Sequence, residues 1–326
     1  MQVSTTILNE GCSRFGAEPG KTNPRGGEEA ALYQTQIGEK RYMLRFSPVA
    51  AFDSKAPVRL DEIWKFIDYL ARGGAHVAQP VKSTAGNLIE WIDEPTGRSR
   101  WALVCVEWVD GGPLDATRLN QYAAPVLRSW GRLMGRMHLL TKSYTEETSL
   151  HGWEEESASF LAQTKERGVA AKWEEMISQL TKFPRDADSY GLVHNDLHSM
   201  NVVANGETVT AVDFDDAGYH WFACDIAIAM QAVLWTTPNG VATSMPSWRQ
   251  VYRTFMNGYR EENNLDSMWE KEIPTFLAYR RLLLHTVFSS VWKRPGAWQR
   301  DRLAVWRDGI LTDRPVIGPV AYKAES

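Results

Sequence analysis

Between residues 192 and 214 the chain changes rhythm, and the change narrows the architectures open to it. The surrounding C-terminal region repeats its apolar residues at helical spacing. Here a short apolar run passes into a polar loop and then into two strand-like pieces separated by Asn205-Gly206. That dipeptide favours a tight hairpin, because both residues tolerate positive φ. On this reading Asn201 starts one strand and Asp213 ends the returning one, so an amide oxygen and a carboxylate arrive at the same end of a two-stranded ribbon. Hard oxygens in that number suit Mg²⁺, which takes one or two protein oxygens and completes its shell with phosphate and water. Asp196 lies five residues before Asn201 in the irregular loop, where it can orient a substrate hydroxyl as a general base.

Two other patterns compete for the chemistry. Gly16-Ala17-Glu18-Pro19-Gly20-Lys21-Thr22 approaches a phosphate-cradling P-loop. That pattern needs four residues between its glycines, whereas this one has three, with Phe15 where the first glycine belongs and no apolar strand before it. A solvent-exposed loop is expected instead. His194 and His198 stand four apart, as paired zinc ligands on one helix face do. Asn195 occupies the place of the Glu in the metalloprotease pattern, and the chain turns to loop and strand too soon for a long helix. Hydrogen-bonded structural histidines are expected there.

Charge and composition narrow the partners. Thirty-six Lys and Arg against forty Asp and Glu leave a net charge of -4, without the basic excess that neutralising many phosphates requires, so nucleic acid is disfavoured. Cys12, Cys105 and Cys224 form neither a CxxC pair nor a disulfide framework, which fits a reducing compartment. No stretch approaches roughly 18 uninterrupted apolar residues, and the N-terminus lacks the basic and apolar regions of a secretory signal. A soluble, cytoplasmic protein with no membrane partner is expected.

Upstream of the hairpin the pattern begins as β. Residues 20 to 29 read as a loop, AALYQTQIGEKRYMLRF as two strands joined by a turn near Gly38, and residues 59 to 72 as a helix. Leu60, Ile63, Ile67 and Leu70 line one face of that helix, and Gly73-Gly74 stops it. NLIEWID and RWALVCVEWV follow as strands, and DGGPLD at 110 to 115 breaks the pattern. The boundary placed there gives a β-rich lobe over 1–109 and a mostly helical lobe over 110–326. Beyond it Val126, Trp130, Leu133, Met134 and Met137 form one apolar stripe, with further helices expected near 155–181, 222–235, 247–262, 266–289 and 297–310. The terminal RPVIGPVAYKAES is expected to trail over the surface.

His194-x-Asp196-x4-Asn201, followed by Asp213-Phe214-Asp215, resembles the catalytic and metal motifs of kinase-fold phosphotransferases. The nearest family looks like the aminoglycoside phosphotransferase and choline/homoserine kinase group, which commonly shows HxDLHxxN rather than the HRDLKxxN of protein kinases. Here His198 stands where the protein-kinase Lys would be. The stretch DFDDAGYHWFACDIA is similar to the group's DFDD segment and following Asp, which makes Asp225 the buried carboxylate that anchors the catalytic loop. A weaker likeness runs from Gly26 to residue 312, through WGRLMGRMHLLT at 130–141.

The resemblance implies a two-lobed, protein-kinase-like α+β fold, with a small antiparallel β lobe and a larger mostly helical lobe. It also implies ATP:Mg²⁺-dependent transfer of the γ-phosphoryl group to a hydroxyl of a small molecule. Carried over by position, Asp196 would accept or orient the acceptor proton, His194 would brace the loop, and Asn201 and Asp213 would hold Mg²⁺. Gly26 and Gly27 would form the turn over the phosphates. Arg45 falls where a Lys normally meets the α- and β-phosphates, a departure because the guanidinium fork reaches differently. Its partner carboxylate would be Glu62, with Asp61 the fallback. Glu107 to Val109 would be the hinge whose backbone meets adenine, and residues 247 to 310 would line the acceptor side.

Bland roles stand beside these. An outward strand position often carries Arg, Asp215 and Asp216 are as readily a solvated or capping pair as a second metal contact, and Asp225 also suits a helix cap. Fourteen tryptophans, nine of them after residue 150, suggest an aromatic pocket for an amine. Aromatic residues at helical spacing more often make core, and core is expected here. Two rival functions share the fold: a nucleotide-binding scaffold with little catalysis, and a kinase acting on protein Ser or Thr. The acceptor and the oligomeric state are not written in these motifs.

Overall fold

The computed structural model describes residues 1–27, 29–50, 52–94, 97, 99–114, 124–234 and 248–317. Glu28, Asp115, the helix ends expected at 235 and 247, and the tail from 318 lie outside these residues. The chain divides into two compact units, one of Met1–Asp110 with Glu146–Leu150, the other of Gly111–Thr145 with the chain from His151 onward. No helix among the described residues is long and apolar enough to cross a membrane. The three cysteines are free and buried.

The first unit opens with a helix absent from the sequence-based expectations, α1 (Thr5–Phe15). Ser4 caps it by accepting the Ile7 N–H, and Gly16 closes it in the left-handed conformation. The next six residues, 17 to 22, carry the failed P-loop pattern: Ala17 is buried in the core, Pro19–Lys21 make a short 3-10 turn, and Glu18 to Lys21 are exposed, with Lys21 paired to Glu18 at 2.9 Å. Then follow β1 (Asn23–Gly26), β2 (Ala31–Ile37), β3 (Lys40–Ala50), α2 (Ala56–Arg72), β4 (Pro80–Val81), β5 (Glu90–Asp93) and β6 (Ser99–Glu107). All pair antiparallel in the order β1-β2-β3-β6-β4, with β5 also on β6. Alternation along β3 decides its faces. Leu44 and Phe46 are fully buried in one core with Tyr33, Leu103, Cys105 and the Ile7, Cys12 and Phe15 side of α1, while Arg45 stands on the other face.

The second unit contains β7 (Gly112–Pro113), α3 (Ala124–Thr141), α4 (Trp153–Gln163), α5 (Arg167–Leu180), β8 (Tyr190–Val193), β9 (Val202–Asn205), β10 (Thr208–Ala211), β11 (Gly218–Trp221), α6 (Phe222–Leu234), α7 (Trp248–Glu262), α8 (Ser267–Val291) and α9 (Ala297–Leu311). The one helix expected near 155–181 is two. Thr164 takes an extended conformation after α4, and its hydroxyl bonds back to the Phe160 carbonyl at 2.8 Å, closing the first helix. The Gly112-Pro113 run, read as a break, is a short edge strand against Ala204 and Val203. In the β9–β10 hairpin Asn205 pairs with Thr208, so Asn205 belongs to the strand and the positive φ falls on Gly206 rather than on both residues of the dipeptide.

The α3 stripe is buried as its spacing foretells. Its opposite partner is α7, and the two backbones touch. A Cβ built on Gly131 would run into the Phe255 carbonyl oxygen, and one on Gly258 into that of Arg128. This close crossing sets His138 of α3 against Tyr259 of α7, Nδ1 to hydroxyl 2.9 Å. Most of the described tryptophans make core as expected, though Trp298 is exposed: Trp130, Trp153, Trp173 and Trp221 are fully buried, and Trp153, Phe183, Trp269 and Phe276 gather around Trp221. Gly131→Ala is therefore expected to lower stability by about 1–3 kcal/mol, the range for overpacking a tight core, read from the urea midpoint. A midpoint equal to that of the wild type would show that the two helices can part without cost.

Candidate active site

β8 and β11 pair antiparallel with Val193 opposite Gly218, so the loop leaving β8 and the segment entering β11 start from the same end of this two-stranded sheet. The β9–β10 hairpin sits between them in sequence. Its ladder extends one step beyond the strands, because the Val212 N–H bonds to the Asn201 carbonyl at 3.0 Å. Asn201 thus closes a short helical turn just before β9, and Asp213 lies two residues past the end of β10. Both sit slightly outside the strands in which the sequence reading placed them. The consequence is unchanged: the hairpin returns Asp213 next to the residue that faces Asn201.

Both carboxylate oxygens of Asp196 are engaged. Its Oδ1 accepts an ion-paired hydrogen bond from Arg280 Nη2, and its Oδ2 accepts from Asn201 Nδ2 at 3.3 Å and lies 3.4 Å from His198 Nε2. Asn201 Nδ2 also donates to the Asp196 carbonyl at 3.0 Å. Both partners are pure acceptors, so the nitrogen of the amide is fixed on this side and its oxygen remains for another ligand. That oxygen and the Asp213 carboxylate form a donor set that fits Mg²⁺.

The histidines are loop braces. His194 Nε2 donates to the Val212 carbonyl at 3.0 Å, its Nδ1 faces the Asp196 N–H at 3.4 Å, and its ring packs on Phe214 at 4.2 Å between centroids. His198 Nδ1 accepts the Met200 N–H at 3.1 Å, and burial pushes the His198 pKa down. With the His194 ring bonded to backbone on both sides and His198 Nδ1 filled by Met200, the pair is not arranged for zinc. Asn195 and Asp213 take left-handed conformations, with φ of 63° and 64°, which non-glycine residues adopt rarely and mostly where the surroundings force them.

Asp225 supplies part of that force. Fully buried in the first turn of α6, it accepts the His194 N–H at 3.3 Å and the Asn195 N–H at 2.8 Å, and its Oδ2 lies 3.2 Å from His138 Nε2. Burial works against its charge, but the His138 bond and the Asn195 N–H outweigh it and hold the carboxyl below the usual range. Behind it a directed chain runs through the core: Asn263 Nδ2 donates to the Tyr259 hydroxyl, which donates to His138 Nδ1, leaving Nε2–H for Asp225.

In the first unit, Gly26 and Gly27 both have positive φ, 90° and 114°, and a Cβ on Gly27 would strike the Ala30 carbonyl oxygen, so the β1–β2 turn requires glycine there. Arg45 sits mid-sheet opposite Leu32 and Val104, with Nε donating to Ser47 Oγ at 3.2 Å. On α2 the two carboxylates expected as its partners meet other groups. Glu62 instead accepts the Ser149 N–H at 2.9 Å and its hydroxyl at 3.0 Å, and Asp61 turns along the helix to Lys65 at 2.7 Å. At the end of β6 the Glu107 N–H bonds to Gln79 and the Trp108 N–H to Arg41. The Val109 N–H has no hydrogen bond among the described residues.

Arg280 and Glu156 were not anticipated. Arg280, in mid-α8, is 9% exposed. Glu156, in the first turn of α4, accepts from Asn195 Nδ2 and the Tyr279 hydroxyl, each at 2.6 Å, and lies 3.5 Å from His151 Nε2. Burial alone would raise its pKa, but the His151 bond, nearby His220 and the Tyr279 bond prevail and hold it at about 2. A carboxyl depressed in the folded state stabilises the fold above its ordinary value of 4.5 and loses that contribution as pH falls toward 2. The stability difference between wild type and Glu156→Gln, from equilibrium denaturation, is expected to be full above pH 4.5 and to shrink toward pH 2. A gap that does not change with pH would show that the charge on Glu156 is not what holds Asn195.

Residues 22–268 match the phosphotransferase enzyme family. An amicoumacin kinase of Bacillus subtilis (strain 168) is 29% identical over 318 residues, spanning 95% of this chain and 93% of that protein. A solved amicoumacin kinase in complex with AMP-PNP, Ca²⁺ and Ami matches with a TM-score of 0.84 at 26% identity, over 96% of this chain and 95% of that one. A microcompartment-associated aminopropanol kinase matches with a TM-score of 0.71 at 19% identity, over 94% and 95% of the two chains. The antiparallel lobe followed by a helical lobe is the kinase-like α+β fold expected. With its hairpin motif inside a family match that covers most of its length, the chain belongs to the phosphotransferase enzyme family, and it is an ATP- and divalent-cation-dependent enzyme acting on a hydroxyl group of a small molecule.

Proposed function

We propose that the acceptor is an amine-bearing alcohol and that the transfer takes place in the cytoplasm, with Asp196, Asn201 and Asp213 at its centre. The acceptor oxygen attacks the γ-phosphorus, the bond from that phosphorus to the β–γ bridging oxygen breaks, ADP leaves, and the hydroxyl proton passes to Asp196. Asn201 and Asp213 hold Mg²⁺, which when bound neutralises charge on the nucleotide phosphates. Gly26, Gly27 and Arg45 serve the phosphates, and Val109, with Glu107 before it, meets the adenine.

The observation that carries the acceptor class is Asp216. Its side chain reaches solvent, and no hydrogen bond or ion pair ties it to a described residue. Yet enough protein surrounds it that burial, with Asp196 and then Glu156 and Asp215 adding to it against Arg280, pushes it up to about 6. A carboxyl raised by burial and by neighbouring carboxyls, which Arg280 only partly offsets, gains from a ligand ammonium. One relative is named for aminopropanol, itself an amino alcohol, and others for amicoumacin.

Asp196→Asn is expected to keep Mg²⁺-dependent nucleotide binding while turnover falls by about 10²- to 10⁴-fold, the range for a general base. Asp213→Ala should abolish that binding, read by titration with a fluorescent ATP analogue; wild-type turnover in Asp196→Asn would remove the base from the mechanism. In a panel of alcohols that includes aminopropanol and amicoumacin, amine-bearing acceptors should exceed their amine-free analogues in kcat/KM by about tenfold or more, the scale of a charge-assisted hydrogen bond. Asp216→Asn should erase that preference. Equal use of both analogues by the wild type would overturn the acceptor class.

A further inference from the structure

We propose that Arg280 is a positioning residue for the transfer, acting through Asp196 to set which oxygen of that carboxylate meets the acceptor; the proposal rests on the reading of Asp196 as the group that takes the proton. Each carboxylate oxygen accepts about two hydrogen bonds. Asn201 Nδ2 and His198 Nε2 both face Oδ2, whereas Oδ1 carries the Arg280 bond alone. One lone pair of Oδ1 is left, and it is the landing place for the hydroxyl. If the guanidinium were absent, nothing among these contacts would hold Oδ1 in that direction.

Charge points the same way. His198 Nδ1 accepts the Met200 N–H, so its single proton sits on Nε2 and the ring is neutral. Among these contacts the cation on Asp196 is therefore Arg280, and Asp216 and Glu156 lie within its electrostatic reach as well. Stripped of that cation, Asp196 would stand beside other carboxylates with only neutral donors. Its grip is also well seated. Two consecutive residues of α8 hold two consecutive residues of the loop: Tyr279 holds Asn195 through Glu156, and Arg280 holds Asp196 directly. Both α8 residues are buried within a helix that spans Ser267–Val291.

The test is a double-mutant cycle in the full chain, with Arg280→Met and Arg280→Lys each made alone and on the Asp196→Asn background. Transfer from ATP–Mg²⁺ to aminopropanol and to amicoumacin is followed, with hydrolysis to water as the acceptor-free arm, alongside titration with a fluorescent ATP analogue. Arg280→Met should lower kcat by about 100-fold, the cost of a misplaced catalytic group, with nucleotide affinity unchanged and a smaller loss in Arg280→Lys. On the Asp196→Asn background neither change should lower the residual rate further, because residues acting as a unit are not additive. Wild-type kcat in either single variant, or losses that multiply with that of Asp196→Asn, would overturn the proposal. If Arg280→Met does not fold, as shown by lost nucleotide binding and lost cooperative unfolding, the Arg280→Lys cycle decides alone. Turnover surviving in Asp196→Asn itself would instead remove the base reading, a result distinct from any of these.

Discussion

A charge at the centre of the second unit organises what surrounds it. Asp225 has no exposure, and an ionised carboxylate in a dry interior persists only when its oxygens are filled by hydrogen bonds. The donors that fill them are the backbone N–H groups of His194 and Asn195 and the imidazole of His138. The loop that follows β8 is therefore hung from the core by its own main chain. Its position depends in turn on α3 and α7 lying close enough for Tyr259 to reach His138, which Gly131 and Gly258 permit. A packing requirement in two helices thus becomes a placement requirement for Asp196, one residue beyond the anchored pair.

The same anchoring explains where the backbone is strained. Asn195 and Asp213, at positive φ, flank the residues that would carry the chemistry, and each is locked from several directions. Asn195 is held by its N–H to Asp225 and by its side-chain amide to Glu156. Asp213 follows Val212, whose N–H and carbonyl bond to Asn201 and His194. Such conformations cost free energy that a loop held at one point would relax. Held at many points, the loop presents its groups already oriented, so that little reorganisation remains for the moment of transfer.

How much of this was legible follows from the distance over which each feature is decided. The hairpin residues Asn201 and Asp213 could be brought together on paper because a tight turn and the two-residue period of a strand determine them locally. Asp225 was legible only through resemblance, since nothing nearby says what its carboxylate meets. α1 went unread although Ser4 and Gly16 are ordinary cap signals; the weak apolar pattern between them becomes persuasive only once β3 and β6 supply the surface that Ile7, Cys12 and Phe15 cover. Arg45 and Glu62 were paired by analogy, and the competing donor, Ser149, lies 87 residues from Glu62 in the chain. Arg280 had a faint signal: a charged residue inside LAYRRLLLH, on a helix otherwise bound for the core, implies a buried carboxylate somewhere. Which carboxylate is a tertiary fact.

The electrostatics of the acid group show why that tertiary fact matters. Glu156 and Asp216 are both carboxyls in largely desolvated surroundings near Asp196, yet one is held at about 2 and the other raised to about 6. The difference lies in their donors. Glu156 has Asn195, Tyr279 and His151 around it, and its charge is fully committed to holding the loop. Among the described residues Asp216 has no such hydrogen-bond donors, and only the more distant charge of Arg280 favours its ionised form. Burial meanwhile lowers the pKa of both His138 and His220. Environments that push neighbouring carboxyls apart in this way also divide their roles: Glu156 is structural, Asp196 is steadied by Arg280, and Asp216 is left to respond to what binds.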